Sequence, residues 1–337
     1  MAQHLSRREL IKRLAGMGGL AALSDLGIRP VRAEPAPETT RIRLPKASLC
    51  TSPVYVAEEL LRAEGFTDVQ YVEDDPREIG TSKPLATGDA DLNMSFGLTT
   101  LVRVDKGEPL VLLAGIHPGC YELFGHDRVR SVRDLRGSKV AIPGLGSTHH
   151  LFLCAIASYI GLDPGREISW VVTSRQDAKQ QFADGKVDAY LAFPPDSQEL
   201  RAKGIGRVII NSSTDQPWSQ YLCCMAVGNR DFVRHNPVAT KRALRALLKA
   251  TDLCATQPAR YAQFLVDKGY VQNRDYALQA LKDVPYRKWR DYNPEDTVRF
   301  FALRLREVGM VKSTPQKLIA QGTDWRFLNE LKKELKA

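Results

Sequence analysis

The chain has 337 residues, 43% of them hydrophobic and 26% charged, with 48 basic against 39 acidic side chains and a formal net charge of +9. These values suit a globular protein of about two domains with an ordinary apolar core, and no run reaches the ~18 apolar residues of a membrane span. The basic residues are dispersed among acids, so no stripe suited to nucleic acid is present.

In chain order, "SRRELIK" (Ser6 to Lys12) precedes a weakly apolar run, "LAGMGGLAALSDLGI", and then "VRAEPAPETT". A basic region, a short apolar region and a small-residue exit form the layout of a secretory signal. The stretch resembles a twin-arginine export signal, with Arg7 and Arg8 as the pair and cleavage after Val31-Arg32-Ala33. Asp25 interrupts the apolar run, which that signal type tolerates; the alternative is a plain basic terminus. Residues 1–33 hold six basic and two acidic side chains, so their removal takes the net charge from +9 to +5.

The remainder alternates. "RIRLPKASL" reads as a strand and "SPVYVAEELLRAEG" as a helix, with Ser52 as N-cap, Pro53 at the first helical position and Gly65 ending it. "DVQYVED" is a strand, "PLATGDADLNMSF" a short helix and a strand, "GLTTLVRVDKG" a helix and "PLVLLAGI" a strand. The pattern restarts with the strand "SKVAIPG", the helix "THHLFLCAIASYIG", the strand "EISWVVTS", the helix "RQDAKQQFADG" and the strand "VDAYLAF". A helix through "SQELRAKG" and the strands "RVIINS" and "YLCCMAVG" follow. Such alternation predicts an α/β fold with parallel-type sheets covered on both faces. From Asn236 the chain reads as helical: Asn236 caps, Pro237 starts, and Leu244, Leu247, Leu248 and Thr251 mark one apolar face.

The six cysteines, Cys50, Cys120, Cys154, Cys223, Cys224 and Cys254, show no metal-ligand spacing. Cys154 and Cys254 fall in apolar helical patterns, where cysteine serves as a small buried hydrophobe. Cys223 and Cys224 are neighbours on a strand and should point to opposite faces. Free thiols are expected.

Ligands of open α/β sheets bind beyond the carboxyl ends of strands, which draws attention to "PGLGSTHHLFLCAIA" (Pro143 to Ala157). Gly144 and Gly146 begin a dinucleotide fingerprint, but His149 stands where its last small residue belongs, and no Walker ending is present. His149 and His150 are helical neighbours about 100° apart, whereas a shared ion needs spacing of three or four. Ser147 lacks the nucleophile elbow. What remains is a glycine turn feeding a helix whose first amides have no intrahelical acceptor, beside the Ser147 and Thr148 hydroxyls. Such a mouth binds anions; it also caps its own helix, and the two roles are compatible.

Several segments carry a family likeness. "SPVYVAEELLRAEGF", "ATGDADLNMSFGLTTLV", "VRDLRGSKVAIPGLGSTHHLFL", "FADGKVDAYLAFPP" and "FLNELKKEL" resemble, in order and spacing, the periplasmic solute-binding proteins of ABC transporters in the nitrate, sulfonate, taurine and thiamine-pyrimidine-precursor group. The resemblance implies a two-lobed periplasmic-binding-protein-like (type II) α/β fold with two crossover segments, near 120–127 and 218–226, and a helical C-terminal region. It implies lobe 1 from 34–122 and 223–337, and lobe 2 from 123–222. Ligand-binding positions would fall on Tyr55, on Ser95, Phe96 and Gly97, on Gly146, Ser147, Thr148 and His149, and on Phe193 and Pro194. Tyr55, Phe96 and Phe193 also suit plain core roles. Cys223-Cys224 does not match the cysteine-rich signature of the fungal thiamine-precursor branch.

The expected function is an exported, periplasmic, monomeric binding protein that delivers a small anionic or heteroaromatic solute to an ABC permease. No catalytic residue, cofactor, metal, nucleic acid or stable membrane insertion is expected. An enzyme on the same fold, or a sensory binding module, are the alternatives, since fold does not fix function.

Overall fold

Alternation sets the first strand, β1 (Arg41–Pro45): Ile42 and Leu44 are fully buried while Arg41 faces solvent. The computed structural model describes residues 34–74 and 82–336, so the segment read as an export signal lies outside the described residues. β2 (Asp68–Val72) pairs parallel to β1, with Arg41 opposite Asp68 and Pro45 opposite Val72. β3 (Leu92–Phe96) and β4 (Leu110–Pro118) follow. Asp91, just before β3, donates its amide to the Arg43 carbonyl at 2.9 Å and accepts an ion pair from the Arg43 side chain at 2.6 Å, which ties β1 to β3.

The middle of the chain builds a five-stranded sheet from β5 (Glu122–Gly125), β6 (Lys139–Ile142), β7 (Ser169–Val172), β8 (Ala189–Ala192) and β9 (Arg207–Asn211), in the order β7-β6-β8-β5-β9. β10 (Leu222–Asn229) then returns to lie between β3 and β4. The expectation of parallel-type sheets holds for β1–β2, β6–β7 and β6–β8 and fails at the connections. β5 runs antiparallel to β8 and β9, and β10 antiparallel to β3 and β4. These two strands carry the chain between sheets, so they run counter to the local strand–helix–strand units. β5 is only four residues long, too short to show alternation in sequence.

The two connections touch. Gly119 has φ +47°, and a Cβ there would lie 2.2 Å from the Ser212 carbonyl oxygen, so only glycine permits the approach. Ser212 Oγ accepts from the amides of Cys120 (3.2 Å) and Tyr121 (2.9 Å), and the Ser212 amide donates to the Tyr121 carbonyl at 2.9 Å.

The first predicted helix divides into Pro53–Val56 and Glu58–Ala63. Ser52 does not cap it: Ser52 already has helical angles, and its hydroxyl donates to the Leu49 carbonyl at 2.6 Å. Gly65, at φ +106°, ends the pair as expected. The long helix Pro237–Thr256 buries Leu244, Leu247, Leu248 and Thr251 completely. Asn236 precedes it without capping; its side-chain amide donates to the Phe232 carbonyl instead. Glu38, 200 residues away in sequence, accepts from the amides of Val238 (3.0 Å) and Ala239 (2.8 Å), so the cap is supplied in trans. Five further α-helices, from Pro258–Asp267 to Arg326–Glu334, and the short 3-10 helix Tyr286–Trp289 complete the described chain. Among the described residues no helix is long and apolar enough to cross a membrane.

The expectation for Cys223 and Cys224 is overturned. β10 changes register against β4 on both sides of Cys224, and a bulge of this kind re-aims side chains. As a result Cys223 Sγ lies 3.4 Å from Cys120 Sγ, while Cys224 Sγ also lies within 4.8 Å of it. All six cysteines are buried free thiols.

Candidate functional site

Three of the predicted ligand turns converge on one aromatic cluster. Phe96, ending β3, lies 5.2 Å from the Tyr121 ring and 5.6 Å from Phe152. Phe193, just after β8, lies 5.6 Å from Tyr121 and 5.3 Å from His149. All five side chains are buried. Tyr121 is the ring that joins the turns, and it was not among the predicted site residues because it sits on a connection with no periodicity. Ser95 is buried behind Phe96 and accepts from the Asn93 side chain at 3.1 Å, while Gly97 opens the helix Gly97–Asp105 against Met225.

The glycine turn is partly self-satisfied. Gly146, at φ +80°, donates its amide to His150 Nδ1 at 3.0 Å. Ser147 caps the helix Thr148–Tyr159, its hydroxyl accepting from the His150 amide at 3.3 Å. The amides of Thr148 and His149 find no acceptor among the described residues, and both residues are buried. Two first-turn donors therefore remain at the positive end of a twelve-residue helix. His149 Nε2 is also buried without a hydrogen-bond partner among the described residues. Burial first, and the nearby Arg175 charge second, push the His149 pKa down to about 3, so its ring is neutral. His150 packs edge-on to Trp170 at 4.9 Å.

A cleft of about 720 Å³ opens beside this cluster. Ala47, Ser48, Leu49 and residues 269–273 form one wall; Arg175, Lys179, Pro194, Asp196, Glu199 and Lys203 lie on the other. Of the predicted residues only Pro194 lines it directly. Tyr55 stands behind the first wall, stacked on Tyr270 at 3.7 Å with its hydroxyl accepting from the Ala47 amide at 2.8 Å.

Arg175 is the residue that sequence reasoning missed. Its guanidinium sits 4.7 Å over the Phe193 ring and faces the cleft. Ser174 caps the helix Arg175–Ala183, which puts a cation at the positive end of a helix dipole. That unfavourable placement was the available signal. Asp196 holds Arg175 at 3.4 Å and Lys179 at 3.2 Å and accepts from the Tyr190 hydroxyl at 3.0 Å; Glu199 takes Lys179 and Lys203, both at 2.6 Å. Three cations against two carboxylates leave this wall positive.

Beside the cleft, the helix Asp196–Lys203 reaches the helix Arg274–Asp283. Gln198 Nε2 donates to Asp283 at 3.1 Å, and Arg201 pairs with both Asp283 and Glu122. Burial raises the Glu122 pKa to about 7; Arg201 opposes the rise and Asp283 adds to it.

Residues 123–265 match the model of the NMT1-like family. No curated protein sequence is significantly similar to the chain. Among solved structures, the alkanesulfonate-binding protein of Xanthomonas axonopodis pv. citri bound to MOPS superposes with a TM-score of 0.67 at 19% identity, covering 87% of this chain and 99% of that one. The periplasmic nitrate-binding protein of Synechocystis PCC 6803 gives 0.69 at 16% identity, covering 89% and 90%. A Candida albicans protein described as having the generic periplasmic binding protein fold gives 0.67 at 12% identity, covering 84% and 96%. Identities of this size are a likeness of fold. The chain thus has the periplasmic binding protein fold shared with sulfonate- and nitrate-binding proteins, and its residues 123–265 match the model of the NMT1-like family.

Proposed function

We propose that the protein is an extracytoplasmic solute-binding protein that captures a small anionic or heteroaromatic solute and delivers it to an ABC permease. The observation that carries this reading is Arg175, poised over Phe193 on the positive wall of the cleft. A planar guanidinium presents paired donors to a sulfonate, nitrate or carboxylate, and the Phe193 ring offers a flat apolar surface beside it. The His149 ring lies 5.3 Å from Phe193, and the amides of Thr148 and His149, without an acceptor among the described residues, would supply a second set of donors for the same charge. Residues 34–122 and 223–337 would form one lobe and 123–222 the other, closing by a hinge where Gly119 meets Ser212. The twin-arginine-like segment would place the mature chain outside the cytoplasm.

The test is calorimetric titration of the purified chain with nitrate, taurine, alkanesulfonates and an aminopyrimidine, alongside mass spectrometry of any solute that co-purifies. Arg175→Met should weaken an anionic solute roughly ten- to a hundredfold, the effect of losing a charge-assisted hydrogen bond, and a neutral analogue much less. Undiminished anion affinity in that variant would overturn the assignment.

A further inference from the structure

The four side chains Cys50, His117, Cys120 and Cys224 come from three separate stretches of chain, and their ligand atoms all lie within 4.8 Å of one another. Cys50 is in the turn Leu49–Thr51 after β1, His117 is near the end of β4, Cys120 follows on the connection, and Cys224 is on β10. We infer that these residues form a tetrahedral site for one thiophilic closed-shell ion, Zn(II) or Cu(I).

Three observations support the site. The first is convergence. A tetrahedral ion with sulfur at ~2.3 Å and nitrogen at ~2.0 Å places its ligand atoms roughly 3.5–3.8 Å apart, so the present spread needs inward movement of about an ångström or less. The second is the orphaned imidazole. His117 is fully buried; its Nδ1 lies 3.2 Å from the Pro118 carbonyl, to which it can donate, and its Nε2 has no hydrogen-bond partner among the described residues. Metal-bound imidazoles are held in this way, one nitrogen donating to a backbone carbonyl that fixes the ring and the other turned to the ion. The third is the bulge. β10 shifts register on both sides of Cys224 so that Cys224 sits opposite His117, and bulges conventionally re-aim side chains at sites.

The surroundings fit as well. The Tyr286 ring meets His117 edge-on at 5.4 Å, and its hydroxyl donates to the Cys50 carbonyl at 2.9 Å. Ser48 Oγ lies 3.3 Å from Cys50 Sγ, within reach of a thiolate. Cys254, buried on an apolar helix face, acts as a small hydrophobe and has no such constellation. Three sulfurs and one nitrogen, without an oxygen ligand, exclude calcium and magnesium and select soft or borderline ions. Because Cys120 adjoins Tyr121, an ion here would also fix the aromatic cluster. Metal binding at these four residues does not depend on a solute in the cleft, whose lining contains none of them.

The experiment takes the full chain, reduced and metal-free under anaerobic conditions, and titrates it with Co(II). One equivalent should produce thiolate-to-cobalt charge transfer and strong tetrahedral d–d bands, which one equivalent of Zn(II) then abolishes. A Cu(I) titration in the presence of a chromophoric Cu(I) chelator separates the two ions: retained zinc assigns Zn(II), and displaced zinc assigns Cu(I). Cys50→Ser combined with Cys224→Ser should lower affinity at least a hundredfold, while Cys254→Ser leaves it unchanged. X-ray absorption of the zinc-loaded wild-type chain covers the case in which the double variant does not fold, and should show three sulfurs and one nitrogen. Absence of the charge-transfer band at one equivalent, the same band in a folded double variant, or a zinc shell of oxygen and nitrogen alone would overturn the site.

Discussion

Glu122→Gln should stabilise the protein above neutral pH and do little below pH 5. Glu122 opens β5 with one oxygen 3.3 Å from Arg201 and the other buried without a partner among the described residues. Its pKa rises from an ordinary 4.5 to about 7, chiefly through burial. Below pH 4.5 both the folded and the unfolded chain hold the proton, and the group has no effect on stability. Between 4.5 and 7 the unfolded chain has lost a proton that the folded chain keeps, so ionisation favours unfolding and stability falls as pH rises. Above 7 the loss is complete. At about 1.36 kcal/mol per pH unit the total is about 3 kcal/mol. Glutamine cannot ionise and still accepts from Arg201, so it should remove that loss. Urea denaturation of wild type and variant at pH 5, 7 and 9 reads the difference directly. A stability difference that does not change with pH would refute the burial argument, whatever its size.

Thr148→Val keeps the helix and removes a hydroxyl at its mouth, so affinity for an anionic solute should fall by about 1–3 kcal/mol in calorimetry; equal loss for a neutral analogue would make Thr148 a plain helix residue. Glu38→Ala removes the trans cap of the helix Pro237–Thr256 and should lower stability by about 1 kcal/mol, as for other N-caps, seen as a reduced urea midpoint. His149 resists in the folded state a proton that the unfolded chain accepts below 6.5, so stability should fall as pH drops from 6.5 towards 3. His149→Phe should therefore shift the acid-unfolding midpoint to lower pH, and an unmoved midpoint would contradict the burial of a neutral ring.

The order of strands and helices was legible in the sequence because local periodicity and turn residues determine it. Thr148–Tyr159, Arg175–Ala183 and Pro237–Thr256 fall within the segments read as helical, and Gly65 stops its helix. The direction of β5 and β10 was not legible, because whether a strand runs parallel depends on where the chain returns, and four residues of β5 carry no such information. Capping failed for the same reason at Ser52 and Asn236: a cap is a contest among donors and acceptors, and Glu38, distant in sequence, won the amides of Val238 and Ala239. Within the candidate site, Phe96, His149 and Phe193 were named from turns that follow strands, and each packs against the Tyr121 ring. Tyr121, which joins them, and Arg175, which charges the cleft wall, have neighbours that only folding brings near. The cysteines show this most plainly. Residues 50, 117, 120 and 224 follow no ligand spacing along the chain; the fold brings three separate stretches together and a shift of register in β10 sets Cys224 opposite His117, since tertiary structure sets distance through space independently of separation in sequence.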